Sequence, residues 1–141
     1  MKKYPFLSLI LICFIATSCD EKEPMPPYVN GVWTALSTYT YFVDDVGSYN
    51  ETYTNYWEGE KVLILNTDNT WEEQTGEIIH TGYWELRYEN KHWVLYMQQT
   101  VSYRKFFVVE ASYSTLILNE IVDFGTSQRH SKTTYAKMGR N

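Results

Sequence analysis

The sequence predicts an all-β domain: an antiparallel up-and-down β-barrel of about eight strands, with a β-sandwich as the alternative packing of the same strands. Three observations carry this. Trp84, Leu86 and Tyr88 alternate with Glu85, Arg87 and Glu89, and after Asn90-Lys91 the alternation resumes with Trp93, Leu95 and Met97 against His92, Val94 and Tyr96. That period of two, broken by a turn dipeptide, is a β-hairpin. Val62-Leu63-Ile64-Leu65 runs into Asn66-Thr67-Asp68-Asn69 and resumes at Thr70-Trp71; Asn and Asp bond to their own backbone and accept positive φ, so this is a second hairpin. After the N-terminal segment, no long window repeats apolar residues at three and four, so no helix is expected.

The other elements follow in order. Gly31 to Val43 is dense in Thr, Tyr, Val and Phe and reads as a long strand, with Trp33, Tyr39, Tyr41 and Val43 on one face and Val32, Leu36 and Phe42 on the other. Asp44 to Ser48 turns it into a polar strand over Tyr49 to Trp57. Glu58-Gly59-Glu60 leads into the Val62 hairpin, whose return runs to about Gln74; Gly76 marks a bulge or bend. His80-Thr81-Gly82 precedes the Trp84 hairpin. Strands then follow over Tyr103 to Glu110, Thr115 to Leu118 and, after the Asp123 to Thr126 turn, Gln128 to Met138.

The first 18 of the 141 residues stand apart. Lys2 and Lys3 precede an apolar run from Phe6 to Ile15, and Ala16-Thr17-Ser18 follows before Cys19; this is the layout of a secretory signal and is too short for a span of about 20 apolar residues. Small residues directly before a cysteine at the end of the run resemble a bacterial lipoprotein signal, which implies lipidation at Cys19, although Ala16 holds the place usually taken by Leu. Cys13 leaves with the signal, so Cys19 is alone and no disulfide staples the mature chain. Asp20-Glu21-Lys22-Glu23 resembles the surface-export signal of Bacteroidota lipoproteins, which implies the outer face of the outer membrane; the periplasmic face is the alternative. Pro24, Pro26 and Pro27 make a stiff spacer. The expected organisation is a signal over 1–18, a tether over 19–29 and one barrel domain over 30–141. Loss of Lys2 and Lys3 takes the net charge from −5 to −7, which argues against nucleic acid as a partner.

Asn30-Gly31-Val32-Trp33, Leu63-Ile64-Leu65 with its Asp68-Asn69-Thr70-Trp71 turn, Gly82-Tyr83-Trp84, Thr115-Leu116-Ile117-Leu118 and Tyr135-Ala136-Lys137-Met138 together resemble the small lipocalin-like lipoproteins of bacteria. Asn69 stands where that pattern has Gly, and Asn is the other residue that enters the left-handed region readily. The resemblance implies a barrel whose closed end is packed by Trp33 and whose cup takes a small apolar or amphipathic ligand.

Catalytic motifs are not found. There is no Gly-x-Ser-x-Gly, and His80, His92 and His130 lack metal-ligand spacing. Glu72, Glu73 and Glu77 read as a solvated acidic strand. No catalytic residue, cofactor or metal is therefore assigned. Tyr and Trp exceed what a small aliphatic core demands, and Tyr39, Tyr41, Tyr53, Trp57, Trp84, Trp93 and Tyr96 are the candidates to line a ligand pocket. The expected function is a lipid-anchored, non-enzymatic envelope protein binding a small ligand in its barrel. The alternative is a surface interaction module that binds protein or glycan through exposed aromatics or a strand edge.

Overall fold

A computed structural model describes residues 24–139; the signal, Cys19 and the acidic cluster lie outside the described residues. Nine antiparallel strands make up the fold: β1 (Gly31–Asp44), β2 (Gly47–Asn55), β3 (Lys61–Leu65), β4 (Thr70–Thr75), β5 (Ile78–Glu89), β6 (His92–Gln98), β7 (Tyr103–Ala111), β8 (Thr115–Asp123) and β9 (Gln128–Lys137). Each pairs with its sequence neighbour from β3 onward, and β9 returns to β1, so eight strands close a barrel. The ninth, β2, lies on the same side of β1 as β3: Gly31 to Thr34 pair with β3, whereas Ser37 to Asp44 pair with β2. β2 and β3 therefore run end to end along one edge of β1, and β2 is left with one edge unpaired.

Two irregularities decide which side chains face inward. Between Ala35 and Ser37 the register of β1 against β9 shifts by one residue. Such a bulge reverses the facing of everything beyond it. Trp33 and Ala35 are buried inside the barrel, but beyond the bulge it is Thr38 that faces inward, sharing a 2.8 Å hydrogen bond with Thr133. Tyr39 and Tyr41 thus turn outward, which corrects the expectation that they share a face with Trp33. The 66–69 turn has Asn69 at φ 66°, and Asp68 accepts from the Thr70 backbone N–H at 3.0 Å. Trp84 is tied to this turn: its indole N–H donates to the Asn66 carbonyl at 3.1 Å and its backbone N–H to that of Asn69 at 2.7 Å.

An apolar core lies inside the barrel. Trp33, Leu63, Leu65, Trp71, Trp84, Leu95, Met97, Phe106, Leu116, Leu118 and Tyr135 form one continuous cluster. Val29 joins it from outside the strands, and the Trp33 indole N–H donates to the Val29 carbonyl at 2.8 Å. The N-terminal segment is thereby pinned to the end of the barrel where β1 begins. Burying indoles of this size contributes on the order of 2 to 3 kcal/mol each, enough to hold an unstapled domain.

Toward the opposite end a polar layer covers the apolar one. The Arg104 guanidinium donates to Glu120 at 2.9 Å and to Glu73 at 3.0 Å, and Lys61 lies 3.7 Å from Glu73. Glu73 is buried here, not solvated as its strand suggests. Burial alone pulls the Arg104 guanidinium down, but the hydrogen bond to Glu120 and the charge of Glu73 outweigh it and leave the group more firmly protonated than usual.

Candidate functional site

The seven aromatic candidates do not meet in one cup. Trp84 is only 9% exposed and belongs to the core, whereas Trp57 is 85% exposed on the connection between β2 and β3. Trp93 packs on its cross-strand partner Tyr88, ring centroids 5.2 Å apart, on the β5–β6 hairpin. Tyr39, Tyr41 and Tyr53 come together on the outer wall: Tyr53 is opposite Tyr39, Tyr39 lies 5.3 Å from Tyr41, and Tyr41 stacks on His130 at 4.9 Å. Tyr96 is on a different part of that wall.

Around Tyr96 the outer surface forms a cleft of about 820 Å³, bounded by β5, β6, the start of β7 and the loop of Gln99, Thr100, Val101 and Ser102. The strand register builds it. Tyr83 is opposite Gln98, and Gln98 is opposite Tyr103, so an amide sits between two phenol rings in one cross-strand row. With neighbouring strands about 4.8 Å apart, the roots of the two tyrosines are roughly 10 Å apart. Tyr83 and Tyr103 are each 69% exposed. The next row holds Glu85, Tyr96 and Lys105. The loop wall is held by the Gln99 N–H donating to the Ser102 carbonyl at 2.8 Å and by the Ser102 hydroxyl on the Gln99 amide oxygen at 3.1 Å.

The charges of this surface are matched in pairs. Arg87 bonds Glu85, and Glu89 accepts from the Tyr96 hydroxyl at 2.8 Å and from Lys105 at 3.1 Å. The Tyr96 hydrogen bond, then the Lys105 one, holds the Glu89 carboxyl below its usual range; the Lys105 ammonium is raised first by Tyr96 and then by Glu89. Arg87 and Lys105 also lie over the Tyr96 ring, at 4.6 and 5.4 Å from its centroid. The Tyr96 ring is thus covered by its own neighbours, and the exposed rings of the cleft are Tyr83 and Tyr103, the latter tilted against Tyr96 at 6.3 Å.

A second concavity lies at the barrel's N-terminal end, lined by Tyr28, Gly31, Val32, Tyr113 and Lys137 among others. One of its walls is an internal contact: the Lys137 ammonium sits 4.7, 5.2 and 5.3 Å from the Tyr28, Trp33 and Tyr113 rings. That cage clamps the N-terminal segment. Inside the barrel, Glu73 and Glu120 converge on Arg104, and Glu73 is shared with Lys61, so both carboxylates are already paired with cations. Among the described residues no group of three or more His, Cys, Asp or Glu is placed to hold a metal ion.

Tyr83, Gln98 and Tyr103 were not among the residues singled out from sequence. The signal was available in the alternation: with Trp84 and Leu86 inward, Tyr83, Glu85 and Arg87 must point outward, and an outward Tyr beside a polar Gln98-Gln99-Thr100 turn is a surface aromatic, not a core one. Comparison with protein-family models, with curated proteins and with solved structures finds no match to this chain.

Proposed function

We propose that this protein is a surface recognition module that binds a neutral glycan in the outer cleft between Tyr83 and Tyr103. The observation that carries the reading is the row Tyr83, Gln98, Tyr103, two exposed rings flanking one amide. A sugar ring has an apolar C–H face and a hydroxyl rim. Exposed tyrosines offer flat apolar faces with polar tips, and Gln98, Gln99, Glu85 and Arg87 offer both donors and acceptors around them. Because Glu85 is matched by Arg87 and Glu89 by Lys105, the cleft carries no unpaired charge to attract an ionic ligand. The small-ligand cup is the weaker reading, since its candidate lining does not converge: Trp84 belongs to the core, and Tyr39, Tyr41 and Tyr53 lie on the outer wall.

Lipid anchorage at Cys19 belongs to the same proposal. Its support is the layout of residues 1–19 together with the place where the chain enters the barrel. Val29 and Tyr28 are fixed where β1 begins, and the loop of 99–102 that walls the cleft is at the opposite end of the strands. A membrane tether at one end leaves the other free.

Isothermal titration against a panel of neutral oligosaccharides tests the reading. Tyr83→Ala and Tyr103→Ala are each expected to weaken binding about tenfold, the loss of one ring face, whereas Phe124→Ala, exposed in the turn between β8 and β9, leaves it unchanged. Absence of binding across the panel, or binding indifferent to loss of both tyrosines, would overturn it.

A further inference from the structure

The strand that the closed barrel does not use has its own consequence. β2 is exposed along its whole length, and one of its edges pairs with nothing among the described residues. Which of its backbone groups point outward follows from the ladder. The Tyr56 N–H donates to the Leu36 carbonyl at 3.0 Å, and the register places Thr54 opposite Thr38 and Thr52 opposite Thr40. In an antiparallel pair the bonded residues alternate, so Thr54 and Thr52 bond to β1 while Asn55, Tyr53 and Glu51 aim both N–H and C=O at the open edge.

Open edges are ordinarily protected by Lys, Pro, extreme shortness or a bulge. β2 has no Lys, Arg or Pro. Its one irregularity, the shift between Thr40 and Phe42 with Asn50 at φ 51°, lies toward the hairpin tip and leaves Glu51 to Asn55 regular.

We infer that β2 pairs antiparallel with β2 of a second copy of this chain, across a two-fold axis at Tyr53. That register is self-complementary. Tyr53 meets the partner's Tyr53, Glu51 meets the partner's Asn55, and on the other face Thr52 meets the partner's Thr54. The single charge of the strand is opposite an amide, never opposite itself. Roughly six hydrogen bonds form between the chains, all from groups that β1 leaves free. The sheet of β8, β9, β1 and β2 continues into its copy, and the outer ladder of His130, Tyr41, Tyr39 and Tyr53 extends into the partner's Tyr53 and Tyr39. A single strand pair is a small interface, below about 1,200 Å², so the dimer is a reversible one with a dissociation constant of about 10 to 100 μM. Nothing in it involves the cleft on β5 to β7, so it stands or falls apart from glycan binding.

Sedimentation velocity of the full chain, in density-matched detergent, reads it out. A concentration-dependent monomer to dimer shift is expected within that range. Asn55→Glu places like charges opposite one another twice across the axis and Asn55→Lys places opposite ones, so the dissociation constant is expected to rise and fall respectively by about fivefold. Tyr53→Pro removes an N–H that β1 does not use and is expected to abolish the dimer while far-UV circular dichroism stays the same. A chain that stays monomeric up to about 500 μM, well beyond the range expected of a single strand pair, or a dimer whose affinity ignores the sign of the charge at position 55, overturns the inference.

Discussion

Replacing Arg104 with Met should destabilise the domain by about 3 kcal/mol at neutral pH, and most of that penalty should be removable by taking away its two carboxylates as well. Arg104 bonds Glu120 at 2.9 Å and Glu73 at 3.0 Å, with side-chain exposures of 31% for the arginine, 17% for Glu120 and 8% for Glu73. Breaking a buried ion pair from one side costs about 3 to 5 kcal/mol, because a charge is left without water or partner. The lower end applies here for two reasons. Arg104 is close to one-third exposed, so solvent already screens part of the interaction, and Lys61 remains 3.7 Å from Glu73. Methionine keeps a contact with the Phe106 ring, over which the guanidinium lies at 4.7 Å, so packing is largely conserved.

Urea unfolding followed by tryptophan fluorescence measures the change, since the indoles of Trp33 and Trp71 are buried. The triple variant Arg104→Met, Glu73→Gln, Glu120→Gln should unfold within about 1 kcal/mol of the unmodified chain. A cost under about 1 kcal/mol for Arg104→Met alone would mean that Arg104 does not neutralise an interior acidic pair.

Two further outcomes follow from single positions. Gly82 is opposite Trp71, and a Cβ there would overlap the Gln98 carbonyl and come within 2.8 Å of the Trp71 indole nitrogen, which bonds that carbonyl at 3.2 Å. Gly82→Ala should cost about 3 kcal/mol, from overpacking plus a lost hydrogen bond, and lower the melting temperature by about 10 °C in calorimetry; an unchanged melting point contradicts the close approach. Glu89, held low first by Tyr96 and then by Lys105, contributes stability that is present above the unfolded carboxyl pKa and lost as pH falls through its lower folded value. Its carboxyl resonance should titrate at lower pH than a free glutamate, and Tyr96→Phe should move that midpoint upward; a midpoint that does not move removes Tyr96 as the cause.

What the sequence made legible was periodicity. The Val62 and Trp84 hairpins, the absence of helix among the described residues and the strand count all follow from alternation, which a barrel wall with one wet and one dry face imposes on the chain. Where alternation is interrupted, the local pattern misleads. β5 begins at Ile78, not after Gly82, because adjacent Ile78 and Ile79 break the pattern and Gly82 resembles a turn; its smallness is needed inside the strand, under the Trp71 indole. β8 continues past Leu118 to Asp123 because Glu120, polar and inward, is held by Arg104. A buried carboxylate and the arginine it needs, 16 residues away, leave no local signal. The bulge after Ala35 is equally silent, and it moved Tyr39 and Tyr41 from an imagined cup to the outer wall.

The aromatic surplus is divided between the core and the outer wall. Indoles at 33, 71 and 84 and the Tyr135 ring enter the core, and two of the groups of tyrosines left outside bear on recognition. One group lies on β2, β1 and β9, the other on β5 and β7, and the barrel order places β3 and β4 between them on one side and β8 on the other. Pairing at the β2 edge thus enlarges the first group without covering the second. A two-fold dimer would present two clefts to one ligand. For a repeating glycan the second engagement is intramolecular, so weak single sites can act together with an avidity that neither has alone.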